Sequence, residues 1–201
     1  MRPTLRLFAA AAVLAAASPL FTACSHSLTT EKSTTAERKV GVPGGKVTET
    51  TQLNATVTAI DAAKRKVTLV TRANERFTVT AGPEVVNFPQ IRVGDQLTVT
   101  STEELVVRMA KPGEKIVEDG TADVTLAAEG KKPGMGVTTT AKTVATVTKI
   151  DTHSRKVTLL FSDGMSDTVK VRDDIDLTKH KVGEKVVFQM KEAFAIRMVK
   201  P

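Results

Sequence analysis

Few side chains in this chain could bind a metal ion or act as a nucleophile, because it has one cysteine, three histidines and six methionines. Imidazole and soft thioether ligands together select Cu(I) over harder ions. The candidate ligands for such a site are His153, His180, Met165 and Met190, all in the second half of the chain. Both histidines fall in segments that are predicted to be turns. The alternative to a metal site is that both side chains are exposed to solvent there and bind no ligand. A copper-type metal site is therefore a second hypothesis about function.

The acidic residues do not form a motif for calcium binding or catalysis. Asp173, Asp174 and Asp176 are close together, but the glycine and distal glutamate of a calcium-binding loop are absent. The sequence also lacks the Gly-x-Ser-x-Gly motif that positions the nucleophile of many hydrolases. We therefore predict a protein that is not an enzyme and that needs no cofactor.

The composition argues against nucleic acid as a partner. Small β-barrel proteins hold single strands by stacking the bases on aromatic side chains within a basic groove. This chain has no tryptophan, no tyrosine and seven phenylalanines, so it lacks such a platform. Its net charge of +7 is dispersed, which is compatible with weak attraction to an anionic envelope surface.

One segment of the chain occurs twice. Residues 55–69 read ATVTAIDAAKRKVTL and residues 145–159 read ATVTKIDTHSRKVTL, with eleven of fifteen positions identical. Weaker matches extend the two copies to residues 43–112 and 133–201. A repeat of this length indicates that one structural unit is used in tandem.

Each copy reads as a series of short β-strands, because Val, Thr, Leu and Ile dominate it and alternate with polar residues. A long first strand, a meander, an irregular crossing and two final strands fit a five-stranded small barrel, OB-like or alternatively SH3-like. We therefore predict an all-β protein with two tandem five-stranded β-barrels, at residues 43–112 and 133–201. The linker between them, residues 113–132, contains an Asp-Gly turn signal and holds either a small hairpin or no regular structure.

The first residues predict export from the cytoplasm. Arg2 and Arg6 accompany an apolar run of about eleven residues, which is too short to span a bilayer. Small Ala23 then directly precedes Cys24, the only cysteine. Residues 1–23 are therefore predicted to be a signal peptide.

The segment Leu20-Phe21-Thr22-Ala23-Cys24 resembles the lipobox of bacterial lipoproteins. The resemblance implies that Cys24 receives diacylglycerol and a further acyl chain, and several chains anchor a protein stably where one does not. Ser25 after the cysteine implies the outer membrane rather than the inner membrane. Residues 24–42 are polar and predict a disordered tether, which would hold the protein in the cell envelope facing the periplasm.

The repeated motifs also resemble those of uncharacterised bacterial envelope proteins with tandem small OB-like β-barrel domains. The matching positions are Ile60-Asp61, the run Arg65-Lys66-Val67-Thr68-Leu69 and the turn Val93-Gly94-Asp95. The resemblance implies a fold and a location but no activity. Our first hypothesis is a non-enzymatic, membrane-anchored lipoprotein that binds an envelope protein or glycan.

Overall fold

The computed structural model describes residues 28–83, 85–128 and 130–200, and the predicted signal peptide and Cys24 lie outside them. This part of the chain forms ten β-strands and two one-turn 3₁₀ helices, Phe88–Gln90 and Leu177–Lys179. No helix within these residues is long and apolar enough to cross a membrane. The strands are β1 (Glu31–Glu37), β2 (Gly44–Asp61), β3 (Lys66–Thr71), β4 (Arg76–Thr80), β5 (Gln96–Met109), β6 (Asp119–Leu126), β7 (Gly134–Asp151), β8 (Lys156–Phe161), β9 (Ser166–Lys170) and β10 (Lys185–Val199).

All ten strands belong to one antiparallel sheet, which confirms the all-β fold class. Its order is β4-β3-β2-β5-β10-β7-β8-β9, with β1 beside β2 and β6 beside β7. This sheet does not close on itself, so the prediction of two tandem five-stranded barrels is not confirmed. The reason is the length of β5 and β10, which extend beyond their own copy and pair with each other from Val186–Met109 to Val199–Gln96.

The two copies of the repeat are related by an approximate two-fold axis through the middle of the sheet. Glu103 of β5 lies directly opposite Glu192 of β10, and these two residues also occupy the same position in the two copies. Both β2 and β7 carry a register shift at equivalent places, after Val57 and after Val147. The sequence repeat is therefore also a repeat of local structure.

Part of the predicted disordered tether is a strand, and this prediction needs correction. β1 pairs with the first half of β2, from Glu31–Gln52 to Glu37–Lys46. β6 pairs with β7 in the same way. The linker therefore holds a single strand that contains Asp119-Gly120, and the hairpin predicted to turn at this pair is not formed. Both strands satisfy backbone groups of β2 and β7 that β3 and β8 are too short to reach.

Each end of the sheet curls around an apolar core, and each core uses residues of both copies. We call β2–β4 with their core the first lobe and β7–β9 with theirs the second lobe. Met198 and Ile196, from the end of β10, pack in the first lobe. Val107 and Met109, from the end of β5, pack in the second lobe. This exchange joins the lobes into one structure, because neither copy encloses a core with its own strands.

Candidate binding cavity

A cavity of about 410 Å³ lies in the second lobe, between the inner face of β7–β9 and the beginning of β2. Most of its wall is apolar. Val157 and Leu159 of β8 form one side, and Leu177 of the second 3₁₀ helix forms another. Val107 and Met109 from the other copy complete the wall. Residues of both copies therefore form the wall of the cavity, as they form the core.

The cavity is explained in part by a smaller residue in the second 3₁₀ helix. In the first lobe this position is Phe88, whose side chain is buried in the core. The Arg65 guanidinium lies 4.7 Å from the centre of the Phe88 ring. The corresponding residue of the second lobe is Leu177, which is also buried but has a smaller side chain. The second lobe therefore has no aromatic ring at this position.

Two further substitutions remove apolar volume from the second lobe. Phe77 of β4 packs against the first core, but Asp167 occupies the same place in β9. Asp167 instead accepts a hydrogen bond from the backbone N–H of Thr168 at 2.8 Å. Ile91, buried after the first 3₁₀ helix, corresponds to His180 after the second. Of the two, His180 lines the cavity and Asp167 does not. The second core also gains two rings, Phe161 and Phe188, at the positions of Thr71 and Val99 in the first.

The loop between β1 and β2, residues 38–43, forms one edge of the cavity mouth. Arg172 fixes this loop, because its guanidinium donates to the carbonyl oxygens of Gly44 at 2.7 Å, Lys39 at 3.2 Å and Val42 at 3.1 Å. The Asp174 carboxylate accepts from the Gly41 N–H at 2.9 Å. Hydrogen bonds from the Arg172 side chain, and then from that N–H, hold the pKa of Asp174 well below its usual range.

The loop between β6 and β7, residues 127–133, docks on the first lobe in the equivalent place. The Asn87 side-chain amide donates to the carbonyl oxygens of Ala127 and Ala128 and accepts from the Gly130 N–H. Lys132 of this loop forms an ion pair with Asp95, whose side chain is 1% exposed. The loop thus covers the first lobe through a buried ion pair.

The second lobe lacks the lysine that makes this ion pair. Val42 occupies the position of Lys132, and Glu184 occupies the position of Asp95. Glu184 is 34% exposed, and its carboxylate lies 2.8 Å from Nδ1 of His180. Among the described residues no ammonium group bridges the loop to this carboxylate, which is more exposed than that of Asp95.

The rim of the cavity carries more positive than negative charge. Five cationic residues and two acidic residues, Glu37 and Glu184, line it besides His180. The Arg108 guanidinium makes two hydrogen bonds to Glu114, at 2.9 and 2.6 Å. These bonds, with one from the Lys111 N–H, lower the pKa of Glu114 to about 2. The cationic residues are Arg38, Lys46, Arg108, Lys170 and Arg172.

The four residues predicted as copper ligands are not brought together. His153 is exposed in the turn before β8, and Met165 is exposed in the turn after it, so the length of β8 separates them. His180 lies at the cavity rim, and Met190 lies on β10 opposite Leu105. Among the residues that the structure describes, no three His, Cys, Asp or Glu side chains are grouped to hold a metal. Of these candidates only His180 belongs to the cavity.

Several charged residues that recur in both copies have structural roles. Asp61 and Asp151 accept backbone hydrogen bonds within equivalent turns. Arg65 and Arg155 both have positive φ angles, and their guanidinium groups bind carbonyl oxygens of the segment that crosses to the 3₁₀ helix. These residues stabilise the two lobes alike, so they do not distinguish a site.

The cavity is not predicted above from the sequence, although the sequence contains a signal for it. The signal is the replacement of Phe88 and Ile91 by Leu177 and His180, which both line the cavity. Comparison with known proteins adds no candidate function, since neither a protein-family model nor a curated protein matches this chain.

Proposed function

We propose that this chain is a membrane-tethered binding protein of the bacterial cell envelope, whose second lobe holds the apolar part of a small ligand. The observation that supports it is the cavity of about 410 Å³, which is within the range of small-molecule sites. An apolar ligand gains free energy by leaving water for such a wall, at about 25 cal/mol per Å² of apolar surface buried. The proposed ligand is therefore a small molecule with an apolar part, in place of the unspecified envelope protein or glycan of the first hypothesis.

A binding role is favoured over catalysis by the residues around the cavity. No Ser, Thr or Cys is among the described residues that line it. The Glu184 carboxylate at Nδ1 would leave Nε2 of His180 available as a base, but no hydroxyl or thiol nucleophile is among the described residues that line the cavity. Nucleophilic catalysis requires such a group within hydrogen-bonding reach of the base.

The membrane tether remains the proposal drawn from the lipobox. A lipid-modified Cys24 would place β1 close to the bilayer, since only six residues separate Cys24 from Glu31. Growth with a labelled fatty acid should label the wild-type protein, and Cys24→Ala should carry no label and leave the membrane fraction. A labelled Cys24→Ala variant would contradict the anchor without affecting the proposal for the cavity.

The cavity is tested with residues 24–201 carrying Cys24→Ala, which includes all described residues and needs no detergent. The neutral fluorescent probe N-phenyl-1-naphthylamine should bind with increased emission. Leu177→Phe introduces the ring of the first lobe into the cavity and should weaken binding at least about tenfold, the effect of about 1.4 kcal/mol.

The matched control is Leu160→Phe, the same substitution on β8 at a residue that is 39% exposed and does not line the cavity. It should bind the probe as the parent does. If Leu177→Phe does not give the circular dichroism of the parent, Val169→Phe is the second variant that fills the cavity. Equal affinity for the probe in the parent and both filled variants would refute the proposal.

A further inference from the structure

The cavity rim carries more cationic than anionic side chains. Five cationic side chains line it, and only two carboxylates do. Arginine and lysine bury their aliphatic stems against apolar surface while their charged ends stay in water. A ligand whose chain lies inside the cavity therefore has its polar end among these charged groups.

Three of the five cations are held by carboxylates that do not line the cavity. Arg108 is paired with Glu114, Arg172 with Asp174, and Lys46 with Glu104 at 2.8 Å. Their charges are largely balanced, so they contribute mainly apolar stems and directed N–H groups.

The other two cations, Arg38 and Lys170, make no ion pair with any residue that the structure describes. Arg38 directly follows β1, and Lys170 is the last residue of β9, so they approach the cavity from two different elements. Both are exposed. An anion at the rim would find two positive charges without a competing partner.

The two carboxylates of the rim, Glu184 and Glu37, each lie near a basic side chain. Glu184 is directed to His180, at 2.8 Å. Glu37 interacts with Lys46, whose pKa is raised first by a hydrogen bond and charge attraction from Glu104 and then by the charge of Glu37. Each carboxylate therefore has a basic group beside it.

We infer that the natural ligand is a single-chain amphiphile with an anionic headgroup, whose acyl chain occupies the cavity and whose headgroup lies between Arg38 and Lys170. This inference rests on the proposed function of the same cavity and adds the chemical class of the ligand. A fatty-acid carboxylate and the phosphate of a single-chain phospholipid share this chemistry, and the test includes both types of headgroup.

The experiment measures displacement of N-phenyl-1-naphthylamine from residues 24–201 carrying Cys24→Ala, at pH 8 and low salt. Four competitors share a twelve-carbon chain and are used below their micellar concentrations: dodecanoate, dodecyl phosphate, dodecanol and dodecyltrimethylammonium. The two anions should displace the probe at least about tenfold more effectively than dodecanol, and the cation least effectively. The order of the two anions identifies the preferred headgroup. The anion preference should decrease with added salt, because exposed charges are screened.

The variant Arg38→Gln/Lys170→Gln should reduce the ratio of dodecanoate to dodecanol affinity to about one. Neither substitution leaves a carboxylate without its ion-pair partner. The control Lys66→Gln/Arg76→Gln removes the same net charge from exposed residues of the first lobe and should keep the ratio of the parent. Equal displacement by all four competitors, or a preference for the cation, would overturn the inference. Dodecanol displacement would in that case still support the proposed function, so the two failures are distinguishable.

Discussion

The two lobes have the same strand topology but differently filled cores. In the first lobe Phe77, Phe88 and Ile91 fill the interior, and the Lys132–Asp95 ion pair covers it. In the second lobe these positions hold smaller or polar residues, and two of them, Leu177 and His180, line a cavity of about 410 Å³. The difference indicates that the strand pattern specifies the fold, whereas a few core residues affect how much free volume a lobe contains.

The two lobes differ in core packing although strands exchanged between the copies join them in one sheet. Because β5 and β10 pair along their whole length, the well-filled first lobe and the second lobe share one sheet. Stability from the first core therefore supports a second core that contains free volume. Proteins commonly lose stability where function requires an imperfectly packed site.

The largest expected effect is on the packing of the first lobe. Phe88→Ala should lower the free energy of unfolding by about 4 kcal/mol, because it removes a buried ring and leaves a cavity. Leu177→Ala at the equivalent position should cost only about 2 kcal/mol, since Leu177 already borders free volume and makes fewer contacts. Urea denaturation of both variants measures the two costs. Equal costs would mean that the second core is packed as well as the first.

A smaller effect is expected from the ion pair that covers the first lobe. Lys132→Met removes the partner of the buried Asp95 carboxylate and should cost about 3 kcal/mol of unfolding free energy. The matched control is Val42→Met, at the same position of the other loop, where a half-exposed side chain makes no such pair. That control should change stability by less than about 0.5 kcal/mol. Comparable losses in the two variants would show that both loops are fixed in the same way.

The smallest effect concerns the pH dependence of one ion pair. Glu114 is bound by Arg108, but Arg197, the counterpart of Arg108, has no ion pair within the described residues. The pKa of Glu114 is about 2 in the folded protein, below its ordinary value of 4.5. Its contribution to stability should therefore be present above pH 4.5 and be lost as the pH falls towards 2.

The measurement compares the parent with Glu114→Gln by denaturation between pH 2.5 and 7. The parent should be more stable at pH 7, and the difference should shrink as the pH falls. Arg197→Gln should show no difference from the parent that depends on pH in this range. A stability difference between the parent and Glu114→Gln that stays constant with pH would contradict the ion pair.

Some features of the fold can be predicted from the sequence because they depend on the order of apolar and polar residues within one segment. The alternation around Val67 and Leu69 predicts a strand with one buried face, and both residues are buried in β3. The strand at Glu31–Glu37 was not predicted, because its residues are all exposed and show no alternation of buried and exposed positions. It forms through backbone pairing with β2, which a side-chain pattern does not report.

The sequence by itself determined the duplication and the all-β class, because repeats and period-two alternation are properties of neighbouring residues. Only the tertiary structure decided that the copies form one open sheet, since this depends on β5 and β10 meeting each other. It also decided where free volume remains. The wall of the cavity combines Val107 of the first copy with Leu159 and Leu177 of the second. The space left between side chains of such distant residues depends on how their strands pack, so differences between the two copies indicate it only in part.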